Sequence, residues 1–343
     1  MEKFINTEIA IEETFKYYWD NYDNLFGRIN IVYTNVDENG SIITDNNRII
    51  KKNIDYMNEY YKKGYTLFIG FSRSTVLGGV LPWFETVGTK AKGISLNSSA
   101  TSLNFPKPVF RLQNSDNKLF DSLKFILTDA SKIYYIYSEG ELATTNALKY
   151  LELLYPGKIN SFQVKSDSSN LTLENIKELY KNVDNNSVSI MYMFIGTQQS
   201  DFVNVFNDSY KMPTSTFDVE SVYPVIKKSS RDALIGSYNF LVNVSFSSAV
   251  LFREGLESLR KLFSTYVLNA LLLITSLETN VDITTLPSDN SILEFNQNND
   301  IEYCTFSINK YSKTDNDEYY YKQDLYSVYD PFVGEQIFDI SQL

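Results

Sequence analysis

The chain has 343 residues, a net charge of −11, a single cysteine (Cys304) and no histidine. With no locally basic patch (Lys51, Lys52, Lys62 and Lys63 sit among Asp55, Glu59 and tyrosines), that balance speaks against nucleic acid or an anionic membrane surface as partner. One thiol and no imidazole remove a disulfide framework, Ser-His-Asp and Cys-His catalysis and the usual zinc sites, leaving only scattered carboxylates for metal or acid–base work.

The amino-terminal MEKFINTEIAIEETFKYYW has no apolar leader core or small-residue cleavage site, so the sequence as given is expected to be intracellular, or carried in a virion, rather than periplasmic. Within it, Ile9, Ile11, Phe15, Tyr18 and Trp19 recur at helical spacing over residues 8–22. A buried strand is expected at 29–36, a polar loop at 37–47, a helix at 48–63 and a strand at 65–70 ending on GFSRST. A helix at 77–87, a strand at 93–96 ending on NSSATS and a strand at 108–113 follow.

The rhythm continues without a linker through a helix at 117–127, strand 132–138, helix 142–154, strand 159–164, helix 172–180, strand 187–194, helix 199–209 and strand 213–219. Beyond a helix starting near 220, the apolar run 233–244 suits a crossing between lobes. Helices are expected at 248–260 and 264–278; YVLNALLLITSLE, in the second, is too short to span a membrane and ends in charge. From about 291 the alternation in IEYCTFSINKYS and LYSVYDPF is strand-like and predicts a terminal hairpin. Alternating strands and helices without internal repeats imply an α/β fold of parallel, doubly wound sheets.

YTLFIGFSRSTVLGGVLPWFE and ISLNSSATSLNFPKPVFRLQNSD together resemble the type I periplasmic solute-binding proteins of branched-chain amino acid and amide transporters. KMPTSTFDVESVYPV, GSYNF and SVYDPFVGEQIF resemble the urea- and amide-binding branch, so the likeness runs from about residue 8 to 338. The resemblance implies two lobes joined by a multi-strand hinge, the first of residues 1–113 with 242–290 and the second of 114–241 with 291–343. It also implies a non-catalytic receptor, without cofactor, that closes around a small polar ligand: an amide, urea or amino acid.

The resemblance implies ligand contacts at strand carboxyl ends, where hydroxyls and helix-start N–H groups suit a small solute with a carbonyl or carboxylate. The matching positions are Ser72, Ser74, Thr75, Ser99 and Thr101 from the first lobe and, from the second, Ser138 to Glu141, Gly196 to Gln198 and Asp218 to Glu220, of which Thr197 and Glu220 are the expected contacts. Helix capping is the competing explanation for the hydroxyls, and the helix macrodipole for Glu220.

Two departures stand out. The covering aromatic of amide-binding relatives is replaced by Ser138-Glu139-Gly140-Glu141, and only MEKFINT precedes the first helix where the family has a strand. They motivate the alternative of a ligand-free structural or interaction protein, for instance within a viral assembly, with a protein partner or a second copy. Tyr56, Tyr60, Tyr61 and Tyr319 to Tyr321 could mark such a surface, partly buried aromatics being the alternative.

Overall fold

The computed structural model describes residues 32, 34–41, 43, 45–71, 73–95, 98–100, 108–112, 115–193, 196–207, 209–219, 228–243, 304–314, 319–330 and 335–338. Elements are numbered within these. The helices expected at 8–22, 248–260 and 264–278, half of the strand at 29–36 and the start of the helix from 220 lie outside the described residues. The chain divides into two compact units, Met1–Ser115 with Val244–Tyr303, and Asp116–Asn243 with Cys304–Leu343.

In the first unit, Asp45 opens α1 (Asn46–Lys62) by accepting the Asn47 N–H on its carboxylate, an N-cap. β1 (Leu67–Gly70), α2 (Ser74–Val87), β2 (Lys92–Ser95) and β3 (Val109–Arg111) follow, and the strands form a parallel sheet in the order β1-β2-β3. Met57 from α1 packs with Leu77, Val80, Trp83 and Phe84 from α2 and Val109 from β3. Two glycines permit the close approach: a Cβ on Gly79 would fall 2.4 Å from Ile50 Cδ1, and one on Gly93 would fall 2.7 Å from Phe84 Cζ. The Trp83 indole N–H is satisfied by Asn58 Oδ1 at 2.8 Å, so the ring is buried without stranding its polar atom.

The second unit begins with α3 (Asp116–Asp121) and α4 (Lys124–Leu127) where one helix was expected. Between them the Ser122 hydroxyl bonds back to the Lys118 carbonyl, a local bond of the kind that competes with helix continuation. Next come β4 (Ile133–Ser138), α5 (Leu142–Leu154), β5 (Ile159–Val164), α6 (Leu173–Leu179), β6 (Val188–Tyr192), α7 (Gly196–Asn204), β7 (Ser215–Val219), α8 (Lys228–Arg231) and β8 (Tyr238–Asn243). β9 (Cys304–Lys313), β10 (Tyr319–Asp330) and β11 (Glu335–Phe338) complete an eight-stranded sheet ordered β11-β10-β9-β8-β7-β6-β4-β5.

Strands β4 to β8 pair in parallel, whereas β9, β10 and β11 add in antiparallel fashion. The expected terminal hairpin is therefore present as β9 and β10, and it extends the parallel sheet by hydrogen-bonding to β8. α7 begins earlier and ends earlier than the sequence pattern indicates, because Gly196 to Gln198 already form its first turn and the chain turns sharply after Phe206. Tyr134, Ile136, Val164, Met191, Phe202, Val203, Phe206 and Leu234 form the core. Within it Tyr180 and Ser189 share a hydrogen bond of 2.6 Å, and burial pushes the Tyr180 phenol above its ordinary range.

At the amino ends of β4 and β6, Asp184 accepts hydrogen bonds from the Ser131 and Ser187 hydroxyls and from the Asn186 N–H. These bonds, the one from Ser131 foremost, hold its carboxyl below the ordinary value of 3.8. A group with a depressed folded pKa stabilises fully above its unfolded pKa and loses that contribution as pH falls through the folded value. The stability difference between wild type and Asp184→Asn, followed by denaturant titration, is expected to be constant near neutrality and to shrink as pH falls below 3.8. A difference that does not change with acidity would contradict this.

Candidate functional site

In the first unit, β1 ends on Gly70, and Phe71 then adopts φ 56°, a left-handed conformation that bulky L-residues rarely take. The turn is held by packing: the Phe71 ring meets Phe84 edge-on at 5.9 Å, and the Phe71 carbonyl accepts the Ser95 hydroxyl at 3.2 Å. Arg73 occupies the N-cap position of α2 without capping it, and its guanidinium donates instead to Asn46 Oδ1.

Ser74, the first residue of α2, faces the loop after β2. Its oxygen accepts the Ser98 hydroxyl at 3.0 Å, the Ser99 N–H at 3.1 Å and the Ala100 N–H at 3.0 Å. The Ala100 carbonyl in turn accepts Arg111 Nη1 at 2.7 Å, and all five residues are buried. Ser74 does not cap its own helix; it braces one strand-end loop against the next. Thr75 is half-buried in the first turn of α2, and Ser99 lies in the braced loop. Ser72 and Thr101 lie outside the described residues.

The second unit repeats this construction with different groups. Ser138, at the carboxyl end of β4, donates its hydroxyl to Gln198 Oε1 at 2.6 Å, and Gln198 Nε2 donates to the Lys165 carbonyl just beyond β5 at 2.8 Å. Gln199, the next residue of α7, donates Nε2 to the Met193 carbonyl at the end of β6. Its Oε1 is buried and has no hydrogen-bond partner among the described residues. Glu139 accepts the Ser166 N–H and hydroxyl, and the Glu141 carbonyl accepts the hydroxyls of Thr144 and Thr145. The Ser138 to Glu141 turn therefore stitches β4, β5 and α5 together. Thr197 is the second residue of α7, with its side chain outside the described set, as is Glu220.

Below this cluster, the Tyr192 hydroxyl donates to Asp116 Oδ1 at 2.6 Å and the Tyr135 hydroxyl to the Thr144 carbonyl at 2.8 Å, with burial holding the Tyr135 phenol well above its ordinary value. The strand ends are thus fixed from beneath. Sequence reasoning missed Gln199 altogether. Its signal was the consecutive glutamines of GTQQS, where a helix start placed at residue 199 hid its place in the first turn. Arg111 was missed as well; a charge inside the buried run VFR is the sign of an internal partner.

Both clusters offer hydroxyls, amides and helix-start N–H groups. Among the described residues no group of three or more His, Cys, Asp or Glu is placed to hold a metal, and no helix is long and apolar enough to cross a membrane. Of the tyrosines considered for a surface, Tyr61 packs edge-on against Trp83 in the first unit, whereas Tyr60 meets Tyr65 and carries Lys63 over its ring. The side chains of Tyr319 to Tyr321 lie outside the described set.

Gln198→Leu tests the second brace. The Ser138 hydroxyl loses its buried acceptor and the Lys165 carbonyl its donor, and the carbonyl is near enough to solvent for water to replace part of the loss. A destabilisation of about 1–3 kcal/mol is expected by denaturant unfolding, since one unpaired buried group costs roughly that much. A loss within experimental error would show that the brace is dispensable.

No family model matches the sequence, and a search of curated proteins finds no match. Solved structures do match. One is the solute binding protein of an ABC transporter from Rhodopseudomonas palustris BisB5 in complex with 3,4-dihydroxy benzoic acid, at 12% identity over 92% of each chain and a TM-score of 0.59. A second is an ABC transporter substrate-binding protein from Sphaerobacter thermophilus, at 9% identity over 98% of this chain and 94% of that one, with a TM-score of 0.63. A third is an extracellular ligand binding receptor from Desulfohalobium retbaense DSM5692, at 14% identity, with a TM-score of 0.60 over 89% of this chain and 54% of that one. At these identities the likeness is one of fold: α/β, with parallel sheets, on the solute-binding-protein plan.

Proposed function

We propose that this chain is a non-catalytic receptor for a small polar solute, held at the carboxyl ends of the strands. The observation that supports this most is the doubled brace, Ser74 with Ala100 and Arg111 in one unit and Ser138 with Gln198 and Lys165 in the other. In a binding protein, preorganised loops lower the entropic cost of capture. In α/β sheets the carboxyl ends of the strands are where ligands bind.

Within this reading the solute is an amide, urea or an amino acid. The starts of α2 and α7 present N–H groups and positive dipole ends to a carbonyl or carboxylate. Gln199 Oε1 is a buried acceptor that suits a solute N–H. Ser72, Thr75, Ser99 and Thr101 supply further polar groups from the first unit, and Thr197 and Glu220 from the second.

Thermal unfolding with acetamide, urea, leucine and 3,4-dihydroxybenzoate, followed by isothermal titration of any that stabilises, tests the proposal. At a hundredfold excess over its Kd a true ligand stabilises by about 2.7 kcal/mol. At least one amide, urea or amino-acid solute is expected to shift the transition and titrate with one site per chain. A folded protein indifferent to all four would remove the proposal, and stabilisation by the aromatic acid alone would exclude the amide class.

A further inference from the structure

Among the described residues β5 ends the eight-stranded sheet and pairs only with β4. Along a strand the hydrogen-bonding groups of successive residues point to alternate sides. The Lys158 carbonyl accepts the Ile133 N–H and the Val164 carbonyl accepts the Glu139 N–H, both towards β4. Ile159, Ser161 and Gln163 therefore turn their backbone groups to the outer edge, as Lys165 does its N–H, while the Lys165 carbonyl accepts Gln198. Such a row is a template for one more strand. The strand's own sequence, INSFQV, does little to deter it, because it carries no charge and exposes Asn160, Ser161 and Gln163.

At the carboxyl end of this edge a single side chain fills the template. Asn170 Nδ2 donates to the Gln163 carbonyl at 2.7 Å, and Asn170 Oδ1 accepts the Lys165 N–H at 3.0 Å. A carbonyl and the N–H two residues on are the pair that one residue of a parallel neighbouring strand would satisfy. The Asn170 amide offers the same donor and acceptor. It is held in place from behind, since Asn175 Nδ2 donates to the Asn170 carbonyl at 2.9 Å and the Leu171 N–H to the Ser168 carbonyl at 3.0 Å.

We propose that Asn170 is an edge plug: its side-chain amide stands in for a missing strand on the outer side of β5 and prevents a second copy of the chain from pairing there through its own β5. The plug acts with Lys158 and Lys165, the cations that flank the strand, as edge lysines do elsewhere.

The test compares wild type, Asn170→Ala and Asn170→Asp by sedimentation velocity over a concentration series and by residue-resolved hydrogen exchange. In Asn170→Ala the Lys165 amide is expected to exchange faster by about tenfold or more, having lost its acceptor. The variant is also expected to form dimers or larger species at concentrations where wild type does not. In those species the Ser161 and Gln163 amides slow, because the new partner pairs with them. Asn170→Asp keeps the acceptor and sets a carboxylate on the edge, so it is expected to sediment as wild type while Lys165 stays protected. The proposal is overturned if folded Asn170→Ala sediments as wild type throughout, or if it associates without slowing Ser161 and Gln163. Should the alanine variant fail to fold, the same criteria apply to Asn170→Ser, whose short side chain cannot span both groups.

Discussion

Replacing Ser74 by alanine is expected to destabilise the chain by about 2–4 kcal/mol, at roughly 1–3 kcal/mol for each buried group left unpaired. One oxygen receives three donors, the Ser98 hydroxyl and the N–H groups of Ser99 and Ala100, and those residues are at most 2% exposed. No alternative acceptor comes with the methyl group, so the loop must shift or strand its donors. Ser74→Thr keeps the oxygen and is expected to recover most of the loss. Denaturant unfolding of both variants decides the matter. Equal, small losses for alanine and threonine would mean that the oxygen does not brace the loop. If a solute binds, the alanine variant is expected to weaken its affinity as well, through the displaced 98–100 loop.

Phe84→Ala is expected to be costlier still, about 3–5 kcal/mol, as for other large-to-small changes at fully buried aromatics. Phe84 has no exposed surface and stands edge-on to Trp83 at 5.2 Å, Phe71 at 5.9 Å and Phe68 at 6.4 Å. Its removal takes away the packing that holds Phe71 in its left-handed turn, so the damage extends from the core to the strand end. Gly93 provides a second check. A Cβ there would meet the Phe84 ring at 2.7 Å, so Gly93→Ala is expected to cost markedly less in the Phe84→Ala background than in wild type. Additive losses would show that the two positions do not meet as described.

The elements with strong periodicity were legible in the sequence. INSFQV is β5 at the boundaries its alternation indicates, and the helix expected at 142–154 is α5. Local chemistry explains the misses. Ser122 splits one helix by bonding back to Lys118, and Gly196-Thr197-Gln198, which reads as a loop, is the first turn of α7. Ser74 looks like a cap within its own window because its partners lie 24 to 26 residues away. The partner of Ser138 is 60 residues away, across the sheet. The fold-level pattern could be read from residue types alone, whereas the braces depend on which strand ends the sheet order brings together.

The central claim is that the braced strand-end loops hold one small solute. Residue-resolved hydrogen exchange in the presence and absence of acetamide, urea and leucine tests it most directly. The account predicts that at least one of these solutes slows exchange at Ser99 and Ala100 or at Gln198 and Gln199, without a general slowing of the core strands. No slowing at either loop with any of the three would contradict it.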